Sequence, residues 1–185
     1  AVALGAGMSP PRAGRAARRE AASDEPAPGE AETGPGREGL LEEGALSQVL
    51  GYHVVQASLT TLGLFARHVG EPLALRPVEF SLLLILQAND RVTPKQLAQA
   101  LALSAPNLTI LLDRLQERGV IERVRSDSDR RSQHVLLTAS GLLLARQCEG
   151  LCGTMEADLD DCLSPGEHLL LIELLQKVAQ HGRSR

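Results

Sequence analysis

Val120-Ile121-Glu122-Arg123-Val124-Arg125-Ser126-Asp127-Ser128-Asp129-Arg130-Arg131-Ser132-Gln133-His134-Val135-Leu136-Leu137-Thr138 is the stretch that decides the fold. Residues 120–126 and 133–138 are short β-prone runs, and the polar segment 127–132 between them predicts a hairpin turn. Arg130 and Arg131 stand at its tip, flanked by Asp129 and Ser132. A hairpin tip has no core to serve, and an arginine projecting from one can enter a narrow DNA minor groove. Asp129 can hold one of the two guanidiniums in place through a charge-assisted hydrogen bond.

The residues just before the hairpin predict a helix from Ser104, its N-cap, to Arg118, stopped by Gly119. Leu108, Leu111, Leu112 and Leu115 fall on one face and are expected to pack inward. The opposite arc then carries Pro106, Asn107, Ile110, Asp113, Arg114 and Glu117. The first turns present Ser104, Ala105, Asn107 and Thr109, small or hydrogen-bonding side chains that let a helix approach the major groove closely. Asn can pair bidentately with adenine, and Thr or Ile can meet a thymine methyl. The positive end of the helix dipole points the same way, towards phosphate.

One step further out, Thr93-Pro94-Lys95-Gln96 reads as a capping box with Thr at N-cap, Pro at N1 and Gln at N3. It opens a short helix to Leu101, and Ala102-Leu103 make a tight connection to Ser104. Thr93 and Lys95 stand at the start of that helix as further candidate DNA contacts. Two short helices joined by a tight turn and followed by a basic hairpin are the sequence form of a winged helix-turn-helix.

On the N-terminal side, Leu46, Leu50, Val54, Ala57, Thr61, Leu64 and His68 recur at three- and four-residue steps. They predict a long helix to about residue 69, ended by Gly70 and Pro72. Pro77 then opens a helix over residues 78–88, apolar on nearly all sides and so expected at the centre of the fold. On the C-terminal side, Thr138 caps a helix to about residue 161. Ser164-Pro165-Gly166-Glu167 is a second capping box, opening a last helix through residue 178. Residues 1–43 are rich in Ala, Gly, Pro, Arg and Glu without apolar periodicity, the composition of a disordered tail.

Composition narrows the function classes. Hydrophobic residues make up 43% of the 185 but aromatics only 2%, so leucine has to do the packing, which favours helix on helix. The formal net charge of −4 argues against a nucleic-acid partner until its distribution is seen. Residues 1–43 carry five arginines against eight acidic residues, a net of −3. Residues 91–131 carry eight basic against five acidic residues, a net of +3. A local basic surface is what phosphate contact needs. The three cysteines, Cys148, Cys152 and Cys162, give no disulfide framework and suit a reducing cytosol. With no apolar run near the roughly 18 residues that span a bilayer, the expected location is cytoplasmic.

The hairpin residues carry a family resemblance. Asp129-Arg130-Arg131 followed by Val135-Leu136-Leu137-Thr138, with Gly141 beyond, resembles the wing signature of the MarR family of winged helix-turn-helix regulators. Residues 111–123 resemble that family's exit from the recognition helix into the wing. The likeness covers about residues 44 to 180. It implies a mainly α fold with a small β-hairpin wing: a winged helix-turn-helix lobe at about 75–138, with dimerisation helices at about 44–70 and 139–181. It also implies a homodimer whose first and last helices interlock on a near-palindromic double-stranded operator, and a repressor released by a small-molecule effector, with an aromatic acid as the permitted class. Asp129 and Arg131 become the wing's DNA-contacting pair, and bases are read from the first turns of the helix at Ser104. His53, near the apolar stripe of the first helix, is the candidate effector contact, with a hydrogen-bonded core histidine as the alternative.

Other features point to packing. Cys148 and Cys152 share a stripe with Leu144, Leu151, Met155 and Leu159, where a free cysteine serves as a small hydrophobe. The family's peroxide sensors use a first-helix cysteine, which this first helix lacks. His134 is expected to face solvent. No nucleophilic triad, phosphate-binding glycine loop or carboxylate pair is present in the sequence, so neither an enzyme nor a cofactor or metal is expected. The alternative from another class is a helical protein-interaction module that kept the fold and lost DNA recognition.

Overall fold

The computed structural model describes residues 41–125 and 133–183. Most of the tail expected over 1–43 and the hairpin tip with Asp129, Arg130, Arg131 and Ser132 lie outside the described residues.

Gly44–Gln48 form a 3₁₀ turn and α1 follows over Leu50–Phe65. Neither Gly70 nor Pro72 ends the helical path, contrary to expectation. The chain widens into a π turn over Ala66–Gly70 and adds a last turn, α2, over Glu71–Leu73. Proline lacks the N–H that an ordinary helix would send back four residues, and its ring crowds that carbonyl. The π turn solves both problems by shifting the register one residue, so that the Glu71 N–H reaches the carbonyl of Ala66. The reversal comes at Ala74, in the left-handed region at φ 50°.

Helix α3 spans Pro77–Gln87 and buries Leu82, Leu83 and Leu86. Phe80 meets Phe65 of α1 edge-on, with ring centroids 5.5 Å apart. Helix α4, Pro94–Ala100, begins with the expected capping box. The Thr93 N–H donates to Gln96 Oε1 at 2.8 Å, and the Gln96 N–H donates to Thr93 Oγ1 at 3.3 Å. Ala102 takes φ 52° to make the tight connection. Helix α5 spans Ala105–Glu117 and ends as Gly119 turns left-handed at φ 69°. All four leucines expected to pack inward are buried, each at most 7% exposed.

Strands β1 (Ile121–Arg125) and β2 (Gln133–Leu137) pair antiparallel, with Ile121 opposite Leu137 and Arg125 opposite Gln133. Val92 adds a one-residue bridge to the other edge of β2, its carbonyl accepting the Val135 N–H at 2.8 Å. The wing root is therefore stitched to the turn ahead of α4.

Helix α6, Ala139–Ala157, stops four residues short of the expected end, and α7, Pro165–Arg183, runs five beyond its expected end. The second capping box forms, with the Ser164 N–H donating to Glu167 Oε2 at 2.8 Å. Helix α6 packs on α3, and Cys148 is fully buried there among Leu144, Leu151 and Met155. Among the described residues no helix is long and apolar enough to cross a membrane.

The outer helices are different. On α1, Leu50, Val55, Leu59 and Leu62 are exposed, and on α7 so are Leu169, Leu170 and Leu174. Among the described residues, the apolar stripe of α1 therefore finds no cover until Leu64.

The start of α6 is fixed by a close approach. Thr138 Oγ1 and Ser140 Oγ both donate to the carbonyl of Gly119, at 2.7 and 2.8 Å. This draws the first turn so near the corner after α5 that a Cβ on Gly141 would lie 1.8 Å from the Val120 carbonyl oxygen. Alanine has the better helix propensity by about 1 kcal/mol, but overpacking at such a contact costs about 3 kcal/mol or more. Gly141→Ala is therefore expected to lower the thermal midpoint markedly. Gly150→Ala on the same helix, with open space at its Cβ position, is expected to leave it level or raise it. Paired melting curves check both.

Candidate nucleic-acid interface

With its four leucines buried, α5 has one face left to offer. Ser104, Ala105, Pro106, Asn107, Thr109 and Ile110 are all exposed, Ile110 at 61%. An isoleucine that open on a helix seated in a core gains nothing from folding within the chain, and a thymine methyl is an apolar partner for it. Asn107 and Ile110 lie one turn apart and face outward together. Thr109 Oγ1 donates to the Ala105 carbonyl at 2.9 Å, which engages its proton and leaves its methyl and lone pairs for contact.

Ser104 holds the N-cap position by its backbone, but its hydroxyl makes no cap hydrogen bond. Its side chain and the first N–H groups of α5 are thus open to an outside acceptor, the arrangement that favours a phosphate oxygen at a helix start.

Helix α4 and the hairpin flank this surface. Lys95 is exposed and Thr93 half-buried, its hydroxyl occupied in the capping box. Pro94, Lys95, Ala105, Thr109, Arg123 and Gln133 line a shallow cleft of about 360 Å³ where α4, α5 and the wing root meet. Arg123 reaches from β1 to Asp113 of α5 and ties the wing to the recognition helix. It was not singled out in the sequence, where nothing pairs it with a residue ten positions earlier.

Arg114 departs from expectation in its direction. It belongs to the outward arc by helical address, yet it is half-buried, with Nη1 3.8 Å from Glu79 Oε1 of α3. Glu79 itself was missed. The signal for it was a lone charge inside the apolar run that follows Pro77.

His53 lies on α1 and is not among the residues that line this surface. Its ring is exposed and Nε2 is 3.0 Å from the Ser47 carbonyl. His134, expected to face solvent, is half-buried on β2, with no hydrogen-bond partner for Nδ1 among the described residues. Burial pushes the thiols of Cys148 and Cys152 up from their ordinary range, which opposes thiolate formation. No group of three or more His, Cys, Asp or Glu placed to hold a metal ion occurs among the described residues.

A family model for the MarR family matches residues 75–132, the segment from just before α3 to the residue ahead of β2. The multiple antibiotic resistance protein MarR of Escherichia coli K12 is 32% identical over 108 residues, 58% of this chain and 75% of that protein. The chain belongs to the MarR family. It is a DNA-binding transcriptional regulator of the winged-helix type. Its backbone is similar to the transcriptional repressor CouR bound to a 23-mer DNA duplex, at 34% identity and a TM-score of 0.70 over 76% of this chain and 99% of that one. It is similar too to CouR bound to p-coumaroyl-CoA, at 31% identity and a TM-score of 0.67 over 76% of this chain and 98% of that one.

The exposed first turns of α5 generate a test. Asn107→Ala removes a side chain that no intramolecular hydrogen bond holds among those described, so folding should be little affected. Binding should weaken by about 1–3 kcal/mol at one base position, with the preference relaxed there and kept elsewhere. A panel of single-base operator variants titrated against both proteins reads this out.

Proposed function

We propose that this protein is a homodimeric repressor that binds a near-palindromic operator and leaves it when an aromatic acid, free or as a thioester, binds. The observation that carries the DNA half is the exposed arc of Asn107, Thr109 and Ile110 on a helix whose opposite face is wholly buried. Such a helix is rigidly seated and presents side chains suited to base edges. In a two-fold dimer, two such helices enter successive major grooves, giving half-sites roughly 10 base pairs apart. The wing tip, with Asp129, Arg130, Arg131 and Ser132, is assigned to the flanking minor grooves, where an arginine reads width and potential.

The dimer half rests on the bare leucines of α1 and α7. Monomeric proteins rarely leave contiguous apolar faces of that kind in water. The effector half rests on similarity. CouR, a repressor of like fold, is bound to p-coumaroyl-CoA in one structure and to DNA in another. His53, exposed on α1, is the side chain that this reading assigns to the effector's carboxylate in a free acid or its carbonyl in a thioester.

A gel-shift titration on the promoter beside the protein's own gene tests the whole reading. A retarded band is expected at nanomolar protein, lost when a hydroxycinnamate or its coenzyme A thioester is added. No band on that promoter or on random-sequence duplex would favour a protein-interaction module instead. A band that persists with every aromatic acid tried would remove the effector assignment and leave the DNA reading in place.

A further inference from the structure

Glu79 is the one charged residue that the fold buries among those described, at 2% exposure. It stands at the third position of α3, where its Oε2 accepts the Arg76 N–H at 2.9 Å and closes the cap. That cap does not account for the burial, since a glutamate can serve a capping box at the surface, as Glu167 does for α7. What distinguishes Glu79 is its second set of neighbours. Oε1 lies 3.8 Å from Nη1 of Arg114 on α5, and Oε2 lies 3.7 Å from Nη1 of Arg118 at that helix's C-cap.

These are ion-pair separations, too long for hydrogen bonds. The carboxylate attracts both guanidiniums without locking either. Arg118 also directs Nη1 to the Ala74 carbonyl at 3.4 Å, which keeps it close to the carboxylate. A buried carboxylate left without a cation is strongly destabilising. Here one guanidinium can leave while the other, with the Arg76 N–H, still compensates the charge.

Arg114 is the one with somewhere to go. Asn107, Ile110 and Arg114 follow at three- and four-residue steps, so Arg114 stands beside the arc offered to DNA by helical address while its guanidinium is turned back to Glu79. All three also line one hollow of about 220 Å³ together with Arg76 and Val78 at the start of α3. If α5 seats in the major groove as proposed above, a backbone phosphate would compete with the Glu79 carboxylate for the Arg114 guanidinium. A phosphate contact adds affinity for every duplex alike and carries no sequence information. Each guanidinium drawn back by a carboxylate is removed from that indiscriminate contribution.

We propose that Glu79 is a specificity-determining positioning residue. Its buried carboxylate, with Arg118 as the standing partner, holds the Arg114 guanidinium against α3 and off the DNA backbone. Discrimination between operator and other DNA then rests on Asn107, Thr109 and Ile110 and not on charge. This rests on the DNA-binding reading above and adds a negative control to it.

The test is fluorescence anisotropy of the full chain on operator and on random-sequence duplex, across a salt series. Glu79→Gln keeps the shape and an oxygen for the Arg76 N–H but removes the charge. It should tighten binding to random duplex several-fold and steepen its salt slope by about 0.9 for each guanidinium that moves to a phosphate. The operator-to-random ratio should fall. In the Glu79→Gln, Arg114→Ala double variant the gain should vanish. A merely structural role would lower the melting temperature and weaken both duplexes together, with no steeper slope and no cancellation.

Should Glu79→Gln not fold, Arg114→Ala in the otherwise native chain decides the matter. A guanidinium already parked on Glu79 leaves random-duplex affinity and slope unchanged when removed. Weaker random binding with a flatter slope would overturn the proposal, as would a Glu79→Gln protein with an unaltered slope. Failure of the native chain to bind either duplex would instead overturn the DNA reading beneath it.

Discussion

The burial of four leucines on one side of α5 is the constraint from which the rest follows. Leu108, Leu111, Leu112 and Leu115 join α3, β1, β2 and α6 in a single apolar cluster. Burying each such side chain stabilises by about 1.5–3 kcal/mol, so rotating α5 about its axis would forfeit several of these contributions at once. The rotation of the helix is thereby fixed, and with it which side chains face out. Asn107, Thr109 and Ile110 are exposed because the leucines are not. The ion pair from Arg123 to Asp113 and the Glu79 cluster then hold the helix from the wing side and the α3 side. Neither contact would set the rotation without the leucine face.

A lobe organised this way needs its neighbours anchored at both ends of α5. At its start, the Thr93 capping box and the left-handed Ala102 set the angle between α4 and α5. At its end, Gly119 turns the chain into β1, while its carbonyl receives two hydroxyls from the head of α6. The corner at residues 119–120 thus joins the recognition helix, the wing and the helix leading outward to α7. Any movement of α6 relative to α3 would be felt there first. This gives a physical route by which an event among the outer helices can reach the DNA-facing surface.

The lobe was legible in the sequence because its signals are local. Capping boxes at Thr93 and Ser164, the threonine cap at residue 138, the left-handed glycine at 119 and the leucine spacing of α5 all act within a few residues of themselves, and each formed. The misses are of another kind. The helical path through Gly70 and Pro72 depends on a π turn that no local rule announces. The burial of Glu79, the retreat of Arg114 and the pairing of Arg123 with Asp113 all require knowing which helix lies against which strand. Ser104 shows the limit of even a good local signal, since it occupies the N-cap position without making the cap bond. The wing arginines and the effector contact, which the family resemblance implies, lie in one case outside the described residues and in the other on a helix whose apolar face has no cover among the described residues.

Amide hydrogen exchange of the full chain, with and without an operator duplex, tests the central claim that the leucine-seated helix presents its opposite arc to DNA. Slowed exchange is expected over residues 93–110 and 121–137. Helices α1 and α7 should be unchanged on adding DNA, since their cover comes from elsewhere. Protection confined to α1 and α7, with none at the start of α5, would contradict the account.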